Sequence, residues 1–122
     1  MLTFVFGPVA KTTLHLSDER RMAGVLECER ATIRWFLSVD ATDLPPDVAQ
    51  TKTTFRNLTI GVEEFEFSDG FTNLHSRSYE EIVTGRGFGL DDVRPSIEIV
   101  SALRQATLEI GGNQHPYVSR FT

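Results

Sequence analysis

Ala31-Thr32-Ile33-Arg34-Trp35-Phe36-Leu37-Ser38-Val39 is the stretch whose reading decides the fold class. Ile33, Trp35, Leu37 and Val39 alternate with Thr32, Arg34, Phe36 and Ser38, and successive side chains of a strand point to opposite faces of a sheet. The alternation predicts a strand with Ile33, Trp35, Leu37 and Val39 on a core face. Phe36 falls on the opposite face beside Arg34, so that face is expected to meet a partner or ligand rather than bare solvent.

Upstream, Met1 to Phe6 reads as the tail of a helix, stopped by Gly7 and Pro8. Val9 to Leu16 has the β-branched content of a strand. Asp18, Glu19 and Arg20 then form a polar turn before a second strand segment from Gly24 to Glu29. Downstream, Ala41 to Lys52 contains Pro45 and Pro46 and reads as a loop of about a dozen residues, long for a compact domain. Phe55 to Ile60 and Glu63 to Phe67 flank Gly61-Val62, which suits a type II′ hairpin with positive φ at the glycine. Glu64, Glu66 and Ser68 would form its wet face, and Phe65 and Phe67 its buried one.

The second half is helical. Asp69, Gly70 and Thr72 offer capping groups before a helical stripe of Leu74, Ser78, Glu81 and Ile82, which Gly85 ends. Asp91 and Asp92 open another helix, where their charge complements the N-terminal dipole. Pro95 is expected close enough to the first turn to need no amide, and Ile97, Val100, Ala102, Leu103 and Ala106 carry the apolar stripe to about Leu108. The tail after Gly111 and Gly112 reads as irregular. Strands first and helices last imply an α+β fold, an open and mainly antiparallel sheet of about four to five strands with helices packed on one face.

With 122 residues, 40% hydrophobic and 24% charged, and a mean hydropathy of -0.15, the chain is expected to form one domain with a true core. Its net charge of -5 disfavours nucleic acid. A lone cysteine, Cys28, allows no internal disulfide, and a cytoplasmic location is expected. No run approaches the roughly 18 apolar residues that span a membrane. No strand leads into a G-x-G-x-x-G turn that opens a helix, so the chain encodes no dinucleotide fold of its own.

Among the chemically able residues, Gly85-Arg86-Gly87-Phe88-Gly89 could cradle a phosphate, but it follows a helix and precedes Asp91 and Asp92, which favours a helix cap. His15, His75 and His115 lie far apart in sequence, without metal-ligand spacing. Cys28 reads as a small buried hydrophobe and Glu64 with Glu66 as a solvated face. His75 sits among Asp69, Asn73, Ser76, Arg77 and Tyr79, a dense donor set at a strand-to-helix junction; binding groups and simple capping account for it equally well.

The motifs Arg34-Trp35-Phe36-Leu37-Ser38, Glu66-Phe67-Ser68-Asp69-Gly70-Phe71, Leu74-His75-Ser76-Arg77-Ser78-Tyr79-Glu80-Glu81-Ile82 and Gly85-Arg86-Gly87-Phe88-Gly89-Leu90 resemble, in order and spacing, the C-terminal half of the Gfo/Idh/MocA oxidoreductases. They are most similar to the branch that oxidises the 3-hydroxyl of UDP-N-acetylglucosaminuronic acid (UDP-GlcNAcA) in lipopolysaccharide O-antigen synthesis. The resemblance covers nearly the whole chain.

It implies that residues 1–122 form a C-terminal substrate-binding and oligomerisation domain. The NAD-binding Rossmann domain and the catalytic lysine and histidine would precede Met1. By that resemblance the chain has no catalytic residue, binds no cofactor or metal alone and is inactive in isolation, while the parent enzyme is an NAD-dependent oxidoreductase. Its Gly70 to Tyr79 segment would lie near the nicotinamide end of the cleft, making His75, Arg77 and Tyr79 the expected substrate contacts. Arginine suits a uronate carboxylate or diphosphate because its fork donates two parallel hydrogen bonds. Assembly into a homo-oligomer through the sheet face with Arg34 and Phe36 is the alternative role, and an independent small-molecule module is a third.

Overall fold

The computed structural model describes residues 1–69 and 72–121. The expected contributions of Gly70 and Phe71 lie outside the described residues. The chain divides into two compact units, Met1–Val39 with Gly89–Thr122, and Asp40–Phe88. No helix among the described residues is long and apolar enough to cross a membrane.

In the first unit, α1 (Leu2–Phe6) ends at Gly7, and an antiparallel meander of β1 (Val9–Ser17), β2 (Arg21–Cys28) and β3 (Thr32–Ser38) follows. Asp18 makes the first turn tight by accepting the backbone N–H groups of Arg20 and Arg21, each at 2.7 Å. Cross-strand pairing aligns Leu16, Ala23 and Phe36 in one row and Leu14, Gly24 and Trp35 in the next. Neighbouring rows face opposite sides of the sheet.

The alternation in β3 is as expected, and the expected core face is packed at Ile33 and Trp35, which are half-buried beside the buried Leu26 and Leu14, but not at its far end. Leu37 and Val39 remain 64% and 84% exposed, whereas Phe36 packs against the buried cluster of Leu16, Ala23 and Val118. Alternation assigns side chains to faces without saying which face is covered. Here the cover comes from the tail expected to be irregular, which forms a 3₁₀ helix at Pro116–Arg120 and buries Val118 completely.

α4 (Leu90–Gln105) begins with Asp92 accepting the Gly89 N–H at 2.7 Å, and Asp91 and Asp92 occupy its first turn as expected. Pro95 lies further in than expected, inside the helix, where its ring removes one intrahelical donor. Within this unit the apolar positions divide: Leu103 and Ala106 are half-buried, but Ile97 and Val100 are exposed. Beyond the helix, Leu108 bridges Leu14 in parallel. Glu109 donates its N–H to the Leu14 carbonyl at 2.8 Å, and the Glu109 carbonyl accepts from His15 Nδ1 at 2.8 Å.

The second unit contains a 3₁₀ turn (Ala41–Asp43), α2 (Pro46–Ala49), β4 (Asn57–Ile60), β5 (Glu63–Glu66) and α3 (Leu74–Val83). The long segment expected as loop thus holds two short helical turns, started by Asp40 accepting the Thr42 N–H and by Pro46 at the first helical positions. β4 and β5 form the expected hairpin. Gly61 has φ 63, and Val62 avoids positive φ, as a type II′ turn requires. Leu58 pairs with Phe65, but Phe65 stays exposed within this unit.

Candidate functional site

The route from hairpin to α3 is fixed by charge. Lys52 Nζ donates to Glu66 Oε1 at 2.8 Å and to Asp69 Oδ2 at 2.7 Å. Hydrogen bonds to Asp69 first and Glu66 second push the Lys52 ammonium above its ordinary range, while Lys52 and then Ser68 hold the Glu66 carboxyl below its own. Ser68 Oγ also accepts the Arg56 N–H at 2.9 Å, so both strand ends are tied together. Asp69, expected to cap the helix, is engaged with Lys52 instead. Asn73 occupies the N-cap position without a side-chain cap bond.

His75, Arg77 and Tyr79 all lie on α3 and are exposed. Helical geometry places His75 and Tyr79, four residues apart, on one face and Arg77 on the opposite side. The three therefore do not converge on one point through the helix itself. Arg77 approaches Glu80 only at 4.0 Å, which leaves its guanidinium fork open to an anion.

Gly85, with φ 76, donates to the Ile82 carbonyl, and Arg86 donates its N–H to the Glu81 carbonyl. Together these form a Schellman cap at the end of α3. The Arg86 guanidinium reaches Glu81 through Nε at 2.8 Å and Nη2 at 3.2 Å. The glycine-rich segment thus ends a helix, and its arginine is already paired with a carboxylate.

Cys28 is half-buried, and burial pushes its thiol up, away from the thiolate a nucleophile needs. His15 is committed to Glu109, far in sequence from either other histidine. A shallow groove of about 450 Å³ lies in the first unit between the start of β1 and α4, lined by Pro8, Thr12, Pro95, Ile99 and Ala102. Its lining is mostly apolar, and Lys11 and Glu98 are its only charged residues.

The constellation that sequence reading passed over is the tail. His115 stacks on Phe36 with ring centroids 5.8 Å apart, Tyr117 meets Phe36 edge-on at 5.4 Å, and Phe121 stacks on Phe36 at 5.8 Å. Arg21 lies over Phe121 at 4.4 Å and Arg120 over Tyr117 at 4.0 Å. The face on which Phe36 was expected to meet a partner is met by the chain's own C-terminal segment. Gln114-His115-Pro116-Tyr117 carries a local signal for it, since proline at the first helical position favours a helical turn, but nothing local shows which strand that turn covers.

No protein-family model matches the chain. Solved structures do, among them two of one dehydrogenase. The WlbA (WbpB) dehydrogenase from Thermus thermophilus in complex with NAD and alpha-ketoglutarate aligns at TM-score 0.90 and 38% identity, over 95% of this chain and 38% of that one. The same dehydrogenase in complex with NAD and UDP-GlcNAcA aligns at TM-score 0.89 and 37% identity, with the same coverage. At this identity the likeness extends beyond bare topology to the sequence that builds it. This chain is an α+β domain similar in sequence and fold to the C-terminal portion of the WlbA (WbpB) dehydrogenase, and it spans 38% of that protein's length.

Proposed function

We propose that this chain is the C-terminal, substrate-cleft part of an NAD-dependent nucleotide-sugar dehydrogenase that oxidises the 3-hydroxyl of UDP-GlcNAcA in lipopolysaccharide synthesis. The observation that carries this reading is the likeness over 95% of the chain to a dehydrogenase bound to NAD and UDP-GlcNAcA. In this reading the chain shapes and holds the sugar nucleotide, and it transfers no hydride alone. Its glycine-rich turn caps α3 and pairs Arg86 with Glu81, so these residues do not fit a dinucleotide.

The residues proposed to touch substrate are His75 and Tyr79 on one face of α3 and Arg77 on the other, with Lys52 fixing the approach to the helix through Asp69. Arg77 supplies the charge that an anionic sugar nucleotide needs, independently of the net charge of -5. A second reading, a role in subunit assembly through the sheet, is supported by the exposed Leu37 and Val39.

The test is a chimera in which this chain replaces the matched portion of the T. thermophilus dehydrogenase. UDP-GlcNAcA-dependent reduction of NAD, followed at the nicotinamide absorbance, is expected from the chimera and not from the 122-residue chain alone. A folded, NAD-binding chimera with no turnover of this sugar refutes the substrate assignment, and turnover by the isolated chain refutes its inactivity. Light scattering addresses the assembly role, which predicts a dimer or larger species.

A further inference from the structure

We propose that the C-terminal strap, residues 114–121, is a pH-sensitive cover over the Phe36 face of the sheet, held closed by neutral His115 and released when that imidazole takes up a proton.

The cover is specific. Val118 is fully buried against Leu16 and Ala23, with Phe36 and Phe121 packed around them. Its 3₁₀ helix is started by His115, whose Nδ1 accepts the Tyr117 N–H at 3.2 Å. An imidazole nitrogen that accepts a hydrogen bond carries no proton, so the neutral ring holds its proton on Nε2. Protonation puts a second N–H on Nδ1, which then faces the Tyr117 N–H donor to donor. The cap is lost, and a charge is left half-buried, where desolvation opposes it.

The surrounding charges act in the same direction. Arg34 projects from β3 and Arg120 lies on the strap itself; both oppose a positive imidazole. Arg21, from β2, covers Phe121, and its neighbour Asp18 lies 3.8 Å from that guanidinium. Burial first, then Arg34 and Arg120, hold His115 below the ordinary histidine range. A depressed folded-state value means that proton uptake favours the open strap. Closure is therefore complete above about pH 6.5, the value for a free histidine, and weakens as pH falls below it until the folded value is passed.

The experiment is amide hydrogen exchange by NMR on the full chain, with protection corrected for the intrinsic pH dependence. The amides of Tyr117, Val118 and Phe121, which bond to His115 Nδ1, the His115 carbonyl and the Val118 carbonyl, report the strap. Those of Val25 and Leu26 in β2 report the sheet. Strap protection is expected to be flat above about pH 7 and to fall by up to about tenfold per pH unit below about 6.5, as one-proton linkage allows, while the sheet stays protected. His115→Asn keeps a favoured, non-titrating cap acceptor and should flatten the profile. Strap protection independent of pH, an unchanged profile in H115N, or loss of sheet protection in step with the strap overturns the proposal. The His115 ring resonances provide a check that needs no variant: a titration midpoint at or above that of free histidine overturns it as well.

Discussion

Gly24→Ala tests how the central strand is packed. A Cβ built at Gly24 would lie 2.1 Å from the Thr13 carbonyl oxygen and 3.0 Å from Trp35 Cζ2, where real Cβ atoms essentially never come within 3.0 Å. The closer atom is backbone of the adjacent strand, so no rotamer change relieves the clash, and β1 must move away from β2 beside its register shift at Leu14 and Leu16. Overpacking of this kind costs about 3 kcal/mol, the upper part of its usual range. Removing glycine from a strand returns about 0.5–1 kcal/mol, leaving a net loss of about 2 kcal/mol. At about 4 °C per kcal/mol for a domain of this length, Tm should fall by about 8 °C in a thermal melt followed by circular dichroism. Gly61→Ala is the comparison, because its Cβ would meet nothing within 4 Å and only the φ of 63 resists it. It should lose about 1–2 kcal/mol. An unchanged or raised Tm in G24A, as chain entropy alone would give, refutes the packing argument.

Val118→Ala should destabilise by about 2 kcal/mol, from two buried carbons at about 0.8 kcal/mol each plus a small cavity; an unchanged denaturant midpoint would show that the strap contributes little to the folded state. The clamp of Lys52 with Glu66 and Asp69 should stabilise its unit between the ordinary values of Glu at 4.5 and Lys at 10.5. The lowered Glu66 loses its contribution as pH falls through its folded value, and the raised Lys52 loses its own as pH rises through its folded value. Lys52→Met should therefore reduce the acid-side slope of stability against pH, and an identical slope refutes the clamp. In the chimera, Arg77→Ala should raise KM for UDP-GlcNAcA about tenfold, as expected for losing one charge-assisted hydrogen bond, and unchanged kinetics count against its role.

Much of the second unit was legible because its determinants are local. Gly61 names its own turn, and Gly85 names the end of α3. The capping role expected of Asp69 failed because Lys52, outside any local window, takes that carboxylate. In the candidate site, the identities of His75, Arg77 and Tyr79 were legible, and the helix expected there and formed at Leu74–Val83 sets Arg77 on the side opposite the other two.

The sequence by itself determined the periods of the elements and where they stop, since alternation in β3, helix-start charge at Asp91 and Asp92, and glycine conformation all act within a few residues. Tertiary structure alone decided that the second face of β3 is packed as well and how far along the strand each face is covered. Phe36 is half-buried and Val39 exposed because Val118 and Phe121 arrive from the far end of the chain, and apolar burial depends on what covers a face, which no local pattern records.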